Sequence, residues 1–427
     1  MTTLVGLLAA LLLVIGVVFV AVGALRLLTV PLAFVYDYRQ RHADPGPAGC
    51  GPLFDEPPLV SVVVPAFNEA DVVENCVRSF LRSDHAPLEI VLVDDGSSDD
   101  TYGRMRRLAE TDDRVTALTQ DNAGKGAALN TGIRASHGEV VVLVDADGLC
   151  RRDTLTLLLR GFHSDRVGAV GGNDRPVNLD RVLTRMLAVI GHVGTGLQRR
   201  VLDVLGCVPV VSGNLGAYRR RVLDEVGDLR TDTLGEDLEL TWRVHRAGYD
   251  VAFVPDALVY AESPSTLRGL WRQRVRWARG LLECLEIHRD MVGSPRFGLF
   301  GPYLLYTVIT QVVGPFVEVL AVTVLVVTVL VDGTQWLPES WAAWLLLIGV
   351  PLSLALLVLA TLLDRAPGDL RMLPTAVLWP VYSTWMTFVM LEAARLELAG
   401  AEHRWNKLER TGTVSVGGLL DDHPGGR

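Results

Sequence analysis

Lysine and cysteine are both scarce in this sequence. Only two of its 40 basic residues are lysines, Lys125 and Lys407, and the rest are arginines. The five cysteines are odd in number, lie far apart and include no C-x-x-C pair. This pattern argues against a disulfide framework and against a zinc site. It is typical of a protein whose main body lies in a reducing compartment such as the cytoplasm.

Charged residues are few as well. They make up 21% of the 427 positions, whereas hydrophobic residues make up 49%, and the mean hydropathy is +0.31. This composition excludes a disordered chain and a purely soluble globular protein. The net charge of −9 leaves no overall basic surface for a nucleic acid. We therefore expect no nucleic-acid partner.

The apolar excess lies in a few long runs. Leu4–Leu25 contains no charged residue, and it is long enough for a helix to cross the roughly 30 Å hydrocarbon core of a membrane. A cleaved signal peptide is the alternative. However, no basic residue precedes the run and several follow it, which favours a span whose C-terminal end is cytoplasmic. Further candidate spans are Tyr303–Val331, Trp341–Leu363 and Leu373–Leu391.

Between the apolar runs the chain has the composition of a soluble α/β domain. The short β-branched runs SVVVPAF, EIVLVDDG and EVVVLVDADG alternate with helical segments, and each is predicted to be a buried parallel strand. Ligands of such sheets bind at the carboxyl ends of the strands. We predict an N-terminal transmembrane helix (1–34), a linker (35–57), the α/β domain (58–265), interfacial amphipathic helices (266–298), C-terminal transmembrane helices (299–398) and a basic segment with a flexible tail (399–427).

Acidic residues follow two of the predicted strands. Asp94 and Asp95 end the second run, where their carboxylates could accept hydrogen bonds from a ribose or a base, although Asp-Asp-Gly is also ordinary turn chemistry. Asp145 and Asp147 end the third run. Two carboxylates at this spacing suit Mg²⁺ or Mn²⁺, with substrate phosphates completing the shell. The alternative for this pair is a loop of solvated acids.

A lysine turn and an acidic helix start are the next candidates. Lys125 lies in a Gly-Lys-Gly turn leading into a helix, which could place it near a nucleotide, although the spacing is not that of a P-loop. Glu236 and Asp237 precede a later helical segment. Asp237 is a candidate general base, because displacement at a sugar carbon requires the attacking hydroxyl to lose its proton. The alternative is that these acids only favour the helix start through its dipole.

Another candidate group lies within a single predicted helix. Gln273, Arg276 and Trp277 share one face, because positions i, i+3 and i+4 are neighbours on a helix. Gln and Trp side chains can bind and stack on a sugar, and Arg can bind a diphosphate bidentately. The surrounding arginines also suit a helix that lies on anionic lipid. Separate faces of the helix can serve both roles.

Four motifs therefore occur in order along the chain. They are Asp-Asp-Gly at 94–96, Asp-Ala-Asp at 145–147, Gly-Glu-Asp at 235–237 and Gln-x-x-Arg-Trp at 273–277. Together they resemble the membrane-embedded, processive family 2 glycosyltransferases, which include synthases of cellulose, chitin, hyaluronan and poly-N-acetylglucosamine. The bacterial poly-β-1,6-N-acetylglucosamine synthases are the most similar group, through SGNLGAYRR, DTLGEDLELTWR and SPSTLRGLWRQRVRWARG.

The resemblance implies a GT-A-type, Rossmann-like cytoplasmic domain flanked by transmembrane helices in a bacterial inner membrane. Such an enzyme takes a sugar, with N-acetylglucosamine the best assignment, from a UDP-sugar with inversion, polymerises it into a β-linked polysaccharide and passes it toward a channel. The alternatives are transfer of a single sugar to a lipid acceptor and, more distantly, a non-catalytic export or binding component. Membrane lipids are expected partners, and an export protein is a further candidate.

The resemblance also implies roles for the residues near the donor. Asp94 and Asp95 would hold the uridine, and Lys125 would lie near the nucleotide. Asp145 and Asp147 would hold the sugar nucleotide together with Mg²⁺ or Mn²⁺.

Other residues would serve the acceptor and the chemical step. Asp237, with Glu236 beside it, would deprotonate the acceptor hydroxyl. Gln273, Arg276 and Trp277 would bind the acceptor end and the diphosphate.

The sequence departs from the family pattern in two places. The third motif begins with Gly235 where many relatives have Thr, and one N-terminal span is predicted where several relatives have two. The segment His403–Arg410, which contains Lys407, is similar to basic C-terminal segments that contact the diphosphate in related synthases. That contact requires a cytoplasmic tail, whereas three simple crossings would place the tail outside. Either residues 296–310 lie in the interface or re-enter, or the tail is outside and only structural.

Overall fold

The computed structural model describes residues 2–333 and 350–401. Within them, eight strands form one mixed sheet, in the spatial order third, second, first, fourth, seventh, sixth, eighth and fifth. The strands are β1 Val60–Ala66, β2 Leu88–Asp94, β3 Val115–Thr119, β4 Val140–Leu143, β5 Leu149–Cys150, β6 Val167–Pro176, β7 Gly216–Arg219 and β8 Asp250–Ala261. The three predicted strands correspond to β1, β2 and β4, and the predicted α/β class is confirmed.

Helices cover the sheet, and further helices precede and follow the sheet-forming region along the chain. They are α1 Thr2–Thr29, α2 Pro31–Arg41, α3 Val73–Leu81, α4 Thr101–Thr111, α5 Lys125–Ala135, α6 Thr154–Arg160, α7 Val182–Gly191, α8 Gln198–Val204, α9 Arg220–Val226, α10 Glu236–Arg246, α11 Leu267–Ile287, α12 Phe300–Thr307, α13 Gly314–Asp332, α14 Val350–Leu363 and α15 Trp379–Leu398. A π-helical segment, His192–Leu197, joins α7 to α8.

The sheet is buried on both faces because successive residues of its central strands, which point to opposite faces, are apolar. Val62 and Val64 of β1 pack into one hydrophobic core with Phe80 of α3. Val63 packs into a second core that contains Trp242 of α10. Continuous β-branched runs of this kind are typical of parallel strands covered by helices on both sides.

The strand directions bring several loops to one edge of the sheet. β1 runs parallel to both β2 and β4, so their carboxyl ends lie on the same side. β7 runs antiparallel to β4, and its first residue, Gly216, pairs with the last residue of β4, Leu143. The loop before β7 therefore lies beside the loop that follows β4. This edge is where open α/β sheets bind their ligands.

Two helical segments of the described chain are long and apolar enough to cross a membrane, Gly6–Arg41 and Phe300–Val331. They include most of two predicted spans. Val350–Leu363 is apolar but shorter, and residues 341–349 of that predicted span lie outside the described residues. The predicted span Leu373–Leu391 begins in a 3₁₀ segment and continues into α15, which does not meet the same criteria of length and hydropathy.

A buried ionic network, which we call the Asp364 cluster, joins the α/β domain to the apolar helices. Asp364, just after α14, accepts hydrogen bonds from Arg200 of α8 and from His192, whose Nδ1 lies 2.7 Å from its Oδ2. His192 Nε2 lies 3.1 Å from Asp369 Oδ2. Arg200 also donates from Nε to Asp37 Oδ1 of α2 over 3.2 Å. Together with Arg175, whose NH2 lies 3.9 Å from Asp364 Oδ2, these residues make up the cluster.

Candidate active site

Four charged residues meet at the carboxyl edge of the sheet, and we call them the Lys125 cluster: Lys125, Asp145, Glu236 and Asp237. Lys125 begins α5, and its Nζ lies 2.7 Å from Asp145 Oδ1 and 3.4 Å from Glu236 Oε1. A Cβ added to Gly213, in the loop before β7, would lie 2.9 Å from Lys125 Nζ and 3.4 Å from Asp237 Oδ2. The glycine therefore lets this loop fit between the lysine and the acid.

Burial and charge act against each other within this cluster. Burial lowers the pKa of the Lys125 ammonium, but the negative charges of the three neighbouring acids outweigh burial, so the pKa lies above its ordinary value. Burial raises the pKa of the Glu236 carboxyl, and the charge of Lys125 opposes this rise. Lys125 therefore stays charged at neutral pH and faces an excess of carboxylates.

Two backbone groups fix the carboxylate of Asp237. Gly213 N–H donates to Oδ2 over 3.0 Å, and Leu238 N–H donates to Oδ1 over 2.8 Å. Thr241, one turn further along α10, donates its hydroxyl to the Asp237 carbonyl and accepts from Val211 N–H. The helix start and the loop before β7 are thereby held together. Each carboxylate oxygen keeps an acceptor position beyond the one already used.

The predicted uridine-binding acids accept hydrogen bonds from the end of β3 and from the loop that follows it. Asp95 accepts hydrogen bonds from Gln120 Nε2, Ala123 N–H and Gly124 N–H, at 2.8, 2.9 and 2.8 Å. Asp94 accepts from Thr119 Oγ1 at 2.9 Å. Both side chains are buried. Asp95 thus shapes the turn before Lys125, where Gly124 has a φ of 92° that strongly favours glycine.

Asp145 and Asp147 supply the donor chemistry that a hard divalent cation requires. They follow β4, and the turn between them is closed by Gly148 N–H, which donates to the Asp145 carbonyl over 2.9 Å. Across residues 2–333 and 350–401, no group of three or more His, Cys, Asp or Glu side chains is arranged to hold a metal. The two carboxylates therefore fit Mg²⁺ or Mn²⁺ only if substrate phosphates and water complete the shell.

The helix α11 carries the third candidate group and packs against the start of α10. A Cβ on Gly280 would lie 2.9 Å from Gly235 Cα, and a Cβ on Gly235 would lie 3.2 Å from Gly280 Cα. The approach therefore requires glycine at position 280 and leaves only a tight fit for a larger residue at position 235. The contact gives a physical reason for Gly235 where many relatives have Thr. Through it α11 places Arg276 near the acids, because the Arg276 charge lowers the pKa of Glu236 against the dominant effect of burial.

The other two predicted residues of α11 differ in their exposure to solvent. Gln273 is half-buried and Trp277 is exposed. The guanidinium of Arg274 lies 4.2 Å from the centre of the Trp277 ring, a cation–π distance. The structure therefore brings Arg276 to the Lys125 cluster and leaves the Trp277 ring exposed on α11. The predicted diphosphate-binding segment His403–Arg410 lies outside the described residues.

Several polar residues beside the cluster were not identified as functional from the sequence. Gly213 and Asn214 belong to the SGNLGAYRR segment. The Gly-Asn pair in that segment was the only sequence feature that pointed to a functional loop. Asp174 of β6 and Arg199 of α8 carry no motif at all. Burial raises the pKa of Asp174, and the positive charge of Arg199 opposes the rise. Burial also lowers the pKa of Arg199.

Residues 57–280 match the protein family described as "Glycosyltransferase like family 2". A similar relative is the poly-beta-1,6-N-acetyl-D-glucosamine synthase of Staphylococcus aureus strain MSSA476, 31% identical over 252 residues, which are 59% of this chain and 61% of the relative. The protein of the same name from Staphylococcus epidermidis is 28% identical over 285 residues, 66% of this chain and 69% of the relative. The match to the S. aureus protein thus spans less than two thirds of its length.

A solved structure is similar over almost the whole chain. It is a mannosyltransferase from Pyrobaculum calidifontis in complex with GDP-Man and Mn²⁺. The TM-score is 0.63 and the sequence identity is 23%, and the match covers 92% of this chain and 100% of the other. At this identity the likeness establishes the fold.

Proposed function

Because this chain belongs to glycosyltransferase-like family 2, we propose that it transfers a sugar from a UDP-sugar, with inversion, onto a growing β-linked polysaccharide. UDP-N-acetylglucosamine is the best donor assignment, because relatives with up to 31% identity are named poly-beta-1,6-N-acetyl-D-glucosamine synthases. The position of Asp237 is the observation that carries the proposal. Its carboxylate is fixed by two backbone N–H groups next to Lys125 at the ligand-binding edge of the sheet.

Asp237 acts as the general base in this proposal. It accepts the proton of the acceptor hydroxyl while the hydroxyl oxygen bonds to the anomeric carbon and the bond from that carbon to UDP breaks. The two backbone hydrogen bonds keep the carboxylate in one orientation, which limits the entropy lost on reaching the transition state. Glu236 serves this step indirectly, because its carboxylate holds Lys125.

The donor is bound on the side of Lys125 and the two Asp pairs. Lys125 offers a positive charge to the diphosphate, and Asp94 and Asp95 shape the loops that contact the uridine. Asp145 and Asp147 would hold Mg²⁺ or Mn²⁺. When bound, the cation neutralises negative charge that develops on the leaving diphosphate.

The acceptor is bound on the side of α11. The ring of Trp277 gives a stacking surface for a sugar, and Arg276, whose positive charge acts on Glu236, would bind the diphosphate. Gln273, one turn before Trp277, adds hydrogen-bonding groups to the same helix. The close packing of Gly280 on Gly235 keeps this surface beside the catalytic base.

We place the enzyme in the bacterial inner membrane, with the α/β domain in the cytoplasm. The two long apolar segments, Gly6–Arg41 and Phe300–Val331, support a membrane location. The proposed organisation is an N-terminal transmembrane helix (1–34), a linker (35–57), the α/β domain (58–265), interfacial helices (266–298), C-terminal transmembrane helices (299–398) and a basic segment with a tail (399–427). Lipids surround the apolar helices, and an export protein could receive the product.

Identifying the product of the purified full-length protein tests this proposal. The protein in lipid nanodiscs is incubated with Mg²⁺ or Mn²⁺ and a panel of radiolabelled UDP-sugars, and the products are separated by size. Radiolabelled GDP-Man is assayed in parallel. We expect a long polymer from UDP-N-acetylglucosamine, and no product after the divalent cation is removed with a chelator. A single-sugar lipid product would instead support the alternative function. Transfer from GDP-Man and from no UDP-sugar would contradict the donor assignment.

A further inference from the structure

Two buried oxygen atoms beside the Lys125 cluster have no hydrogen-bond donor within the described parts of the chain. They are Oδ1 of Asp174, on β6, and Oδ1 of Asn214, in the loop before β7. The Asp174 carboxylate also accepts side-chain hydrogen bonds from Ser212 and from Asn214, so the two residues contact each other. Most buried polar atoms in folded proteins are hydrogen-bonded, because an acceptor buried without a donor loses its hydrogen bonds to water and gains none in return. Two such acceptors close together therefore indicate a place where a ligand supplies the donors.

The loop before β7 connects both atoms to the proposed catalytic residues. A Cβ added to Gly148 would lie 3.1 Å from Asn214 Oδ1 and 3.2 Å from the Asp145 carbonyl oxygen, so these two oxygens flank the same small space. Gly213, the residue before Asn214, donates its N–H to Asp237. The negative charge of Asp145 also acts on Asp174. The pair therefore lies between the proposed metal-binding acids and the proposed base.

Arg199 decides which kind of ligand suits this place. Its positive charge acts on Asp174, and its guanidinium carbon lies 5.6 Å from the centre of the Phe253 ring. A second metal ion beside this cation would be repelled, whereas a neutral hydrogen-bond donor would not. A sugar carries such donors in its hydroxyl groups and, for an N-acetylated sugar, in an amide N–H.

We propose that Asp174 and Asn214 accept hydrogen bonds from hydroxyl or amide groups of a sugar bound beside Asp145, and that they thereby select the sugar. This inference rests on the proposed transferase function and extends it to substrate specificity. A site built to hydrogen-bond a substrate group discriminates strongly against an analogue that lacks the group, because the buried acceptor is then left without a donor. The sugar is either that of the donor or the terminal sugar of the acceptor. Both lie next to Asp237 during transfer, because the acceptor hydroxyl that Asp237 deprotonates attacks the anomeric carbon of the donor.

The test combines variants of the protein with substrates that lack one group at a time. Asn214→Leu removes one acceptor at similar volume, and Asp174→Asn removes the charge of the other. Asp113→Asn, an exposed residue of the loop before β3, is the matched control. Each protein, in nanodiscs with the divalent cation, is assayed with donor analogues that lack one hydroxyl or the acetamido group. A second series uses acceptor oligosaccharides with the same changes in the terminal sugar.

We expect one analogue to lose about 10- to 100-fold in kcat/KM with the wild-type protein and with Asp113→Asn. With Asn214→Leu the same analogue should lose less than about 3-fold, because the acceptor it would leave empty is already absent. Asp174→Asn keeps a neutral acceptor oxygen and loses only the charge, so an analogue that lacks the group bound by Asp174 should lose less than with the wild-type protein but more than about 3-fold. Loss in the donor series assigns the pair to the donor sugar, and loss in the acceptor series assigns it to the acceptor. Asn214→Asp should recover discrimination, since it restores an acceptor oxygen.

Equal losses for every analogue in the wild-type protein and the variants would overturn the inference while leaving the transferase function in place. A wild-type protein that transfers no sugar would overturn the proposed function itself, and the inference with it. Thermal unfolding checks that each variant is folded. If Asp174→Asn does not fold, Asn214→Leu carries the comparison alone, because it leaves the charge of Asp174 opposite Arg199 unchanged.

Discussion

The Lys125 cluster and the Asp364 cluster are both buried groups of charged residues, but their charges are balanced differently. In the Lys125 cluster one lysine faces three acids, with Arg276 contributing from α11. In the Asp364 cluster two arginines and a histidine face three acids, and Asp364 is satisfied on both carboxylate oxygens. Among the described residues, the first lies beside two oxygens without donors, whereas the second joins three parts of the chain and leaves one donor, Nε of Arg175, without an acceptor.

The difference shows how a binding site and a structural joint can be distinguished in one molecule. Buried charges that only hold elements together are paired with opposite charges, because an unpaired buried charge would cost several kcal/mol. A site for a charged or polar substrate keeps hydrogen-bonding or charged groups that are paired only when the substrate binds. The two clusters should therefore respond differently to substitution, in activity for one and in stability for the other.

The largest effect is expected for Asp237→Asn. The amide keeps the shape of the side chain but cannot accept the proton of the acceptor hydroxyl, so transfer should fall by about 10²- to 10⁴-fold. Donor affinity should change little, whereas thermal stability should fall by about 1–3 kcal/mol, because the amide NH2 must face one of the two backbone N–H groups that Asp237 accepts from. Radiolabel transfer, donor binding and thermal unfolding measure the three quantities. Wild-type turnover in this variant would exclude Asp237 as the base.

Arg200→Met should act on the Asp364 cluster through stability. Arg200 is buried, and its removal leaves Asp364 and Asp37 without this partner, which should cost about 3–5 kcal/mol. Thermal unfolding in detergent measures the loss. Arg365→Met is the matched control, because Arg365 is exposed and its ion pair with Asp256 should contribute at most about 1 kcal/mol. Similar losses in both variants would remove the distinction between the clusters.

Gly280→Ala tests whether helix packing positions the Lys125 cluster. The new methyl group would lie 2.9 Å from Gly235 Cα, so α11 must move away from the start of α10, at a cost of about 1–3 kcal/mol. We expect kcat to fall as well, because Arg276 shifts with the helix. Gly191→Ala is the control, since its Cβ would meet no atom within 4 Å. A fully active Gly280→Ala protein would argue against this positioning.

His192→Gln should give the smallest effect, visible as a pH dependence. Burial lowers the pKa of His192, but Asp364 and Asp369 outweigh burial and raise it, while Arg175 opposes them. A raised folded-state pKa gives stability that is present at pH below the unfolded value and is lost as pH rises through the folded value. The melting temperature of the wild-type protein should therefore exceed that of the variant most at pH 6, and the difference should shrink toward pH 9. A constant or growing difference would contradict this assignment.

The family and the α/β fold were predicted correctly because local signals agreed with the global architecture. Runs such as VSVVV in β1 can only be strands covered on both faces, and Asp94 and Asp145 lie at or just past their carboxyl ends. The predicted GT-A-type fold and the predicted family are confirmed. The assignment of individual residues to uridine, metal, base and acceptor stays a prediction.

Other features could not be read from the chain because they depend on contacts between distant positions. The sequence indicated that Asp95 is a ligand or a turn residue, and in the structure it accepts three hydrogen bonds from a different loop, the one between β3 and Lys125. Glu239 is close to Asp237 in sequence, yet it points to Arg243 and His288. Nothing around Asp174 marked it, because its neighbours Asn214 and Arg199 come from other segments.

The sequence by itself determined the class of this protein: the order of four short motifs, the apolar runs at either side of them and the alternation of strands and helices. These signals are local, so they survive without a structure. Three features follow only from the folded arrangement: Gly280 must be glycine where it packs on Gly235, Lys125 bridges Asp145 and Glu236, and two acceptors beside them lack donors among the described residues. Each of these depends on distances between residues far apart in the chain, which are set by how the sheet and helices pack.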